Sequence, residues 1–322
     1  MARSHLLLGT TATVQGPYRE ALIRLGEARG DVVVLGADLG NSTEIDGFRA
    51  RFPERFFNVG AAEQNEVDVA VGMALEGAVP FVHSFGVFLT RRAYEQVCVQ
   101  VAMHEANVKL VGVIPGLTSR LGPTHQAIED LSLMRTLPGM TVIDPADATE
   151  IAQLVPALAD HQGPVYVRMM RREVPALFDP RTYRFAVGKA VSLADGPDVT
   201  VISCGVMLAN ALEATRELAD RGIGASLVHV STLKPLDEKT ILESARRTGA
   251  VVTAENHLVV GGLGSAVAEV LSSRSPMPLE PVGLDDTFAV PGTPEYLFDR
   301  YGLTSRHIVD AAIRAVGRKP EP

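Results

Sequence analysis

Short apolar runs alternate with helix-length stretches along most of this sequence, and that rhythm leaves few folds open. The runs 32–35, 56–59, 81–83, 108–114, 141–143 and 165–168 read as strands, because β-branched and aromatic residues suit a pleated, buried surface. The stretches between them are long enough for crossover helices, which is the pattern of a mostly parallel sheet covered by helices. The rhythm breaks at 173–197, where Glu173-Val174-Pro175, Phe178-Asp179-Pro180 and Ala194-Asp195-Gly196-Pro197 interrupt it. It then resumes, with strands expected at 199–203, 226–230 and 251–254 and helices at 207–221, 238–247 and 264–271. A chain of 322 residues, 46% of them hydrophobic, can bury two such cores. The expected fold is therefore α/β, with two consecutive open, mostly parallel sheets flanked by helices. The expected domains are 1–180 and 190–322.

Within the first half, Phe57-Asn58-Val59-Gly60-Ala61-Ala62-Glu63-Gln64-Asn65-Glu66 ends a strand and opens a helix on a carboxylate. Val67, Val69, Ala70, Val71, Met73, Ala74 and Leu75 make that helix apolar nearly all round, which predicts a buried helix. Glu63 would then need a partner or a proton. A helix-terminus carboxylate favoured by the dipole, worth about 0.3 to 1 kcal/mol, is the plainest account. Two further segments suggest another. Val79-Pro80-Phe81-Val82-His83-Ser84-Phe85-Gly86-Val87-Phe88-Leu89-Thr90-Arg91 is a strand running into a loop with two aromatics three apart, followed by a helix expected at 90–104. Gly122-Pro123-Thr124-His125-Gln126-Ala127-Ile128-Glu129-Asp130 places a histidine just before another helix.

Taken in order, the Glu-Gln strand end, the Ser-Phe-x-x-Phe loop and the Gly-Pro-Thr-His loop resemble the pyrimidine-binding half of transketolases. Deoxyxylulose phosphate synthases and the β subunits of 2-oxo acid dehydrogenases share parts of the pattern. The resemblance implies thiamine diphosphate as cofactor, which carries the carbanion chemistry itself and leaves the protein to activate and orient it. Glu63 matches the glutamate that hydrogen-bonds the aminopyrimidine ring nitrogen. Phe85 and Phe88 match the aromatics that pack on that ring, a contact worth about 0.5 to 1.5 kcal/mol beyond burial. Asp38, in Ala37-Asp38-Leu39-Gly40-Asn41-Ser42, matches a carboxylate near the thiazolium; by itself the segment reads as a turn with a helix cap. His125 matches a histidine that contacts the substrate and can move protons near neutrality.

The substrate end departs from the family. Leu121 stands where transketolases carry an aspartate that reads a sugar hydroxyl, removing an interaction of about 1.5 to 3 kcal/mol. Gln15 corresponds to an arginine that helps bind sugar phosphate. Ser42 and Arg171 match phosphate ligands, and Arg120 is new relative to the family; an arginine fork suits phosphate or sulfonate oxygens. The resemblance extends through the second half, including Thr253-Ala254-Glu255-Asn256-His257 and Gly261-Gly262-Leu263-Gly264. That glycine run lacks the spacing of a dinucleotide loop and is expected to allow close backbone approach at a helix start. His257 is expected to be structural or interfacial, and His83 is a further pocket candidate.

No Gly-Asp-Gly, the family's metal and diphosphate signature, occurs here. Magnesium needs oxygen ligands in near-octahedral array, so Mg²⁺ (or Ca²⁺) and the diphosphate are expected mainly on a separate N-terminal transketolase subunit, in an α2β2-type assembly. No metal site is expected on this chain, and His5, His104, His161, His229 and His307 show no arrangement with metal-ligand spacing. The expected reaction is transfer of a two-carbon ketol unit between small sugar phosphates or other anionic sugars. A 2-oxo acid dehydrogenase β subunit, a synthase condensing a pyruvate-derived unit with an aldehyde phosphate, and a non-catalytic assembly subunit are the alternatives. A formal net charge of -8 without a basic run leaves nucleic acid no electrostatic footprint. Two cysteines, Cys98 and Cys204, argue against a disulfide framework. No segment reaches the roughly 20 apolar residues of a membrane span, and a cytoplasmic location is expected.

Overall fold

Every predicted run of the first half becomes a strand, and one strand arrives from the second half. A computed structural model describes residues 5–7 and 12–320. Its seven-stranded sheet has the spatial order Thr232–Lys234, Thr141–Ile143, Val165–Met169, Lys109–Val113, Val79–Phe85, Val32–Gly36, Phe56–Asn58. All neighbours are parallel except Thr232–Lys234, which runs antiparallel to Thr141–Ile143. The five-stranded sheet has the order Leu279–Leu284, Val251–Leu258, Val199–Ser203, Ala225–His229, Val191–Ala194, with only the last pair antiparallel. The Pro- and Gly-rich break is not bare linker. It contains Glu173–Pro175, paired with Thr13–Gln15, and the edge strand Val191–Ala194; edge strands accommodate such residues because one side of their backbone needs no partner.

Two helices differ from expectation. Glu63–Leu75 buries one face against Val79–Phe85 rather than its whole surface: Glu63, Glu66, Val67, Ala70 and Val71 are buried, whereas Leu75 is 72% exposed. It lies on one side of the sheet, so only one face has a layer to pack against. The segment expected as an α-helix at 90–104 begins at Phe88 and is mostly wide, π-type helix, at Phe88–Arg92 and Val97–Ala102, with α geometry at Tyr94–Gln96 between. The N–H of Ala93 reaches back to Phe88, and that of Met103 to Cys98. Wide turns of this kind gather at functional sites.

The two sheets share a core. One apolar cluster runs from Val67, Val97 and Leu131 to Ile202, Val230 and Leu263. Beside it, Arg168 is 1% exposed and donates to Asp130, Asp144 and the carbonyls of Ala127 and Asn256. Burial pushes the Asp130 carboxyl up, and the Arg168 guanidinium more than reverses it. Asn256 accepts from the Leu117 N–H and donates to the Pro115 carbonyl. His257 accepts from the Ser132 N–H, so it joins the two halves as expected of an interfacial histidine. Gly262 and Gly264 open the helix Leu263–Arg274, where Glu255 accepts from the N–H groups of Leu263 and Gly264. A Cβ on Gly262 would lie 1.9 Å from Glu255 Oε2. Among the described residues, no helix is long and apolar enough to cross a membrane.

Candidate active site

The connection from Val32–Gly36 goes to Phe56–Asn58 on one side, while that from Val79–Phe85 goes to Lys109–Val113 on the other. Because these two strands are neighbours, their carboxyl ends frame the topological switch point, where open α/β sheets bind ligands. Asp38 and Ser42 follow the first strand, and Phe85 and Phe88 end and follow the second. Glu63 comes from the adjacent Phe56–Asn58 connection, and Arg171 follows Val165–Met169. The sheet thus delivers these residues to one edge.

Glu63 is 1% exposed. Its Oε1 accepts from Ser84 Oγ at 3.0 Å and its Oε2 from Arg92 Nη1 at 2.7 Å. The Arg92 guanidinium lies 4.4 Å over the Phe88 ring. Phe85 and Phe88 stack, with centroids 5.6 Å apart and planes 23° from parallel. His125 presents an edge to both, at 6.0 and 5.3 Å, and its Nδ1 lies 2.9 Å from Thr124 Oγ1. Arg91 fixes that loop against the wide helix, donating to the carbonyls of Pro123 and Gln126 and pairing with Glu129. Arg171 lies 6.0 Å over Phe85 and donates to the Ser42 carbonyl at 3.0 Å. The sequence-predicted Glu63, Phe85, Phe88, His125, Arg171 and Ser42 therefore form one connected set.

One turn along the same helix, Glu66 is fully buried, with Oε1 accepting the His83 N–H and Oε2 unpartnered among the described residues. Burial pushes its carboxyl up to about 8, against the His83 N–H and with help from Glu63. His83 lies behind this layer rather than in an open pocket: it is fully buried, bonded to Tyr18 and the Leu35 carbonyl, and burial pushes it down to about 4.

Asp38 is held in the left-handed region, φ 62°, by an exchange of hydrogen bonds with Asn58. Ile114 at φ 65° and Arg172 at φ 61° share that conformation just beyond two other strand ends. For a β-branched residue such as Ile114 this is strained by about 1 to 3 kcal/mol, the kind of cost found at ligand sites. Arg120 and Leu121 are exposed and line, with Arg171, a separate cleft of about 650 Å³. Gln15 lies outside it, in a smaller polar hollow with Arg19 and Arg172. Ser84, Glu66, Arg91, Arg92 and Arg172 were not singled out from the sequence. The Arg91-Arg92 doublet, three residues beyond Phe88, is the available signal for two of them.

The patch can hold a flat heteroaromatic ring: phenyl faces and an imidazole edge supply apolar contact, and a buried carboxylate supplies an acceptor for a ring nitrogen's proton. Both Glu63 oxygens keep a second lone pair for that purpose. Among the described residues, no cluster of three or more His, Cys, Asp or Glu could hold a metal ion.

Comparison with known proteins agrees with this geometry. The sequence matches the transketolase pyrimidine binding domain over residues 11–176 and the transketolase C-terminal domain over residues 188–308. A transketolase family protein of Sinorhizobium fredii, y4mN, is 47% identical over 300 residues, covering 92% of this chain and 87% of its own. The 6-deoxy-6-sulfo-D-fructose transketolase subunit SqwH of Clostridium sp. (strain MSTE9) is 45% identical over 304 residues, covering 94% of each chain. Among solved structures, a split gene transketolase, an inactive β4 tetramer, has a TM-score of 0.88 and 46% identity, over 94% of this chain and 98% of that one. With both domains matched in order and relatives nearly half identical along almost its whole length, the chain belongs to the transketolase family and is built of that family's pyrimidine-binding and C-terminal domains.

Proposed function

We propose that this chain is one subunit of a two-chain transketolase that transfers a two-carbon ketol unit between small anionic sugars with thiamine diphosphate. The carrying observation is the buried Glu63 carboxylate beside the Phe85–Phe88 pair and His125 at the switch point. Bound there, the cofactor would supply the carbanion that accepts and releases the ketol unit. Glu63 would hold the proton of the aminopyrimidine ring nitrogen, with Ser84 and Arg92 fixing its carboxylate. Phe85 and Phe88 would orient the ring and exclude water from it, and Asp38 would face the cationic thiazolium. His125 would move a proton at the substrate oxygen, held in place by the loop that Arg91 braces. Ser42, Arg171 and Arg120 would bind the substrate's anionic end, with Leu121 beside it.

The diphosphate and its Mg²⁺ or Ca²⁺ are assigned mainly to a separate N-terminal transketolase subunit, in a cytoplasmic α2β2-type assembly. The domain division between 180 and 190 belongs to the same proposal. Two relatives support the reading: SqwH is named for an anionic sulfo-sugar, and an inactive β4 tetramer is what chains of this type would form without their partner.

The test is calorimetry of thiamine diphosphate with Mg²⁺ on the chain alone and mixed with the partner subunit. Tight binding only in the mixture is expected. Glu63→Gln should abolish turnover, by at least about a hundredfold, the lower range of acid–base contributions, while the assembly stays intact by sedimentation. An active Glu63→Gln complex would sink the assignment.

A further inference from the structure

Two carboxylates sit one turn apart on the helix Glu63–Leu75, and the site supplies charge for one of them. Side chains three positions apart share a helix face, and Glu63 and Glu66 are 1% and 0% exposed. Glu63 takes the Ser84 hydroxyl on Oε1 and the Arg92 guanidinium on Oε2. Glu66 takes the His83 N–H on Oε1 at 3.2 Å, and its Oε2 has no partner among the described residues. Burying two like charges one turn apart disfavours ionising both, so the pair holds one proton. The donors decide where it lies: the carboxylate with a cation and a hydroxyl keeps its charge, and the one with a single amide keeps the proton.

Among the described residues, the elements packed against Glu66 offer it no counter-charge. From the strand Val79–Phe85, the His83 imidazole turns away to Tyr18 and the Leu35 carbonyl, and burial pushes it down to about 4, so it carries no charge near neutrality. The wide helix at 88–102 carries Arg91, paired with Glu129, and Arg92, paired with Glu63. It also carries the exposed Glu95, the Tyr94 hydroxyl on the Leu133 carbonyl, and the Cys98 thiol. Val32–Gly36 has no titratable side chain. Burial accordingly raises the Glu66 carboxyl to about 8, opposed by the His83 N–H and aided by Glu63.

The role given to Glu63 needs a proton between its carboxylate and the aminopyrimidine ring nitrogen. The ring nitrogen brings a lone pair, and Glu63, bonded to a guanidinium and a hydroxyl, brings a charge rather than a proton. We propose that Glu66 stores that proton and gives it up when the cofactor binds. The Glu66 O–H bond breaks and the ring N–H bond forms; the negative charge left on Glu66 is matched by the positive charge the ring gains, so no further reactant enters. Glu66 is then a positioning residue, acting on the ring through Glu63. This rests on the transketolase reading above and adds to it a residue that reading does not use.

The experiment counts protons rather than turnover. Thiamine diphosphate with Mg²⁺ is titrated into the two-chain complex by calorimetry, in buffers of different ionisation enthalpy, to give the net protons taken up on binding. Protons exchanged by the diphosphate or the partner subunit are common to wild type and variant and cancel in the difference. At pH 7 the Glu66→Gln complex should take up about one proton per site more than wild type, whose proton comes from within. That difference should fade above pH 8, where wild type has already released it. Glu66→Met, which also cannot titrate, should give the same count, and the wild-type count should itself rise toward about one between pH 7 and pH 9. A merely structural Glu66 would change affinity and leave the count alone. Equal uptake by wild type and variants at pH 7, or a wild-type count that stays flat with pH, overturns the proposal and leaves the transketolase reading standing. A wild-type complex that does not bind the cofactor refutes that reading and the proposal with it.

Discussion

Replacing Glu66 with glutamine probes a proton held one helical turn from Glu63. The carboxyl is 0% exposed, has one hydrogen bond, from the His83 N–H at 3.2 Å, and its other oxygen has no partner among the described residues. Burial, opposed by that N–H and aided by Glu63, raises it from 4.5 to about 8. The folded protein therefore keeps a proton that the unfolded chain loses near 4.5. Between these values the folded state binds more protons, so stability falls as pH rises, by about 1.4 kcal/mol per unit, and this loss ends near pH 8. From pH 6 to pH 9, two units of that window remain, a loss of about 2.7 kcal/mol. Glutamine cannot titrate, so the variant escapes this loss. Its unpaired amide costs about 1 to 3 kcal/mol, but equally at every pH. Urea unfolding of both proteins at pH 6, 7, 8 and 9 reads the difference. Lys109, Glu255 and Asp147, placed at about 7, 7 and 6 by burial, titrate in both proteins and cancel in that difference. The variant should gain about 2.7 kcal/mol on wild type across the range. A difference that stays flat with pH would refute a protonated Glu66.

Two further stability outcomes follow from the interface between the sheets. Arg168→Met should lower unfolding free energy by about 3 to 5 kcal/mol, because Asp130 and Asp144 would keep buried carboxyls without their cation; a loss below about 1 kcal/mol in urea unfolding would contradict that. Gly262→Ala should cost about 1 to 3 kcal/mol by forcing Glu255 and His257 away from the new methyl, 1.9 and 2.7 Å from its position, and an unchanged melting temperature would show that the turn yields freely.

What the sequence revealed depended on how local the signal was. Val199–Ser203 matched its predicted run, since the four consecutive strand formers Val199-Thr200-Val201-Ile202, bounded by breakers, need no tertiary context. Glu63, Phe85, Phe88 and His125 were legible because each ends or follows a recognisable run. The strand Thr232–Lys234 was not, because three residues gain strand geometry only by pairing with Thr141–Ile143, some ninety positions earlier. Glu66 was hidden by its helix: charged and two residues from an exposed position, it reads as surface until the strand beneath it is in place. In the sequence Arg168 is only the end of a buried strand, and the assembled sheets alone show that its charge is held by Asp130 and Asp144. The wide helical turns at 88–102 left no mark in composition, since α and π turns use the same residues.

The visiting strand also bears on how such a gene can be recombined. A crossover between 180 and 190 looks clean in the sequence, yet Thr232–Lys234 would then meet a Thr141–Ile143 edge from a different parent, as would Lys234 Nζ, which holds the carbonyls of Arg135 and Leu137. A fragment ending before it would bare that edge's N–H and C=O groups, a template for joining other chains. A working chimera must keep both residues 141–143 and a strand at 232–234 able to pair with them, so the unit to preserve is the pair of segments rather than either half.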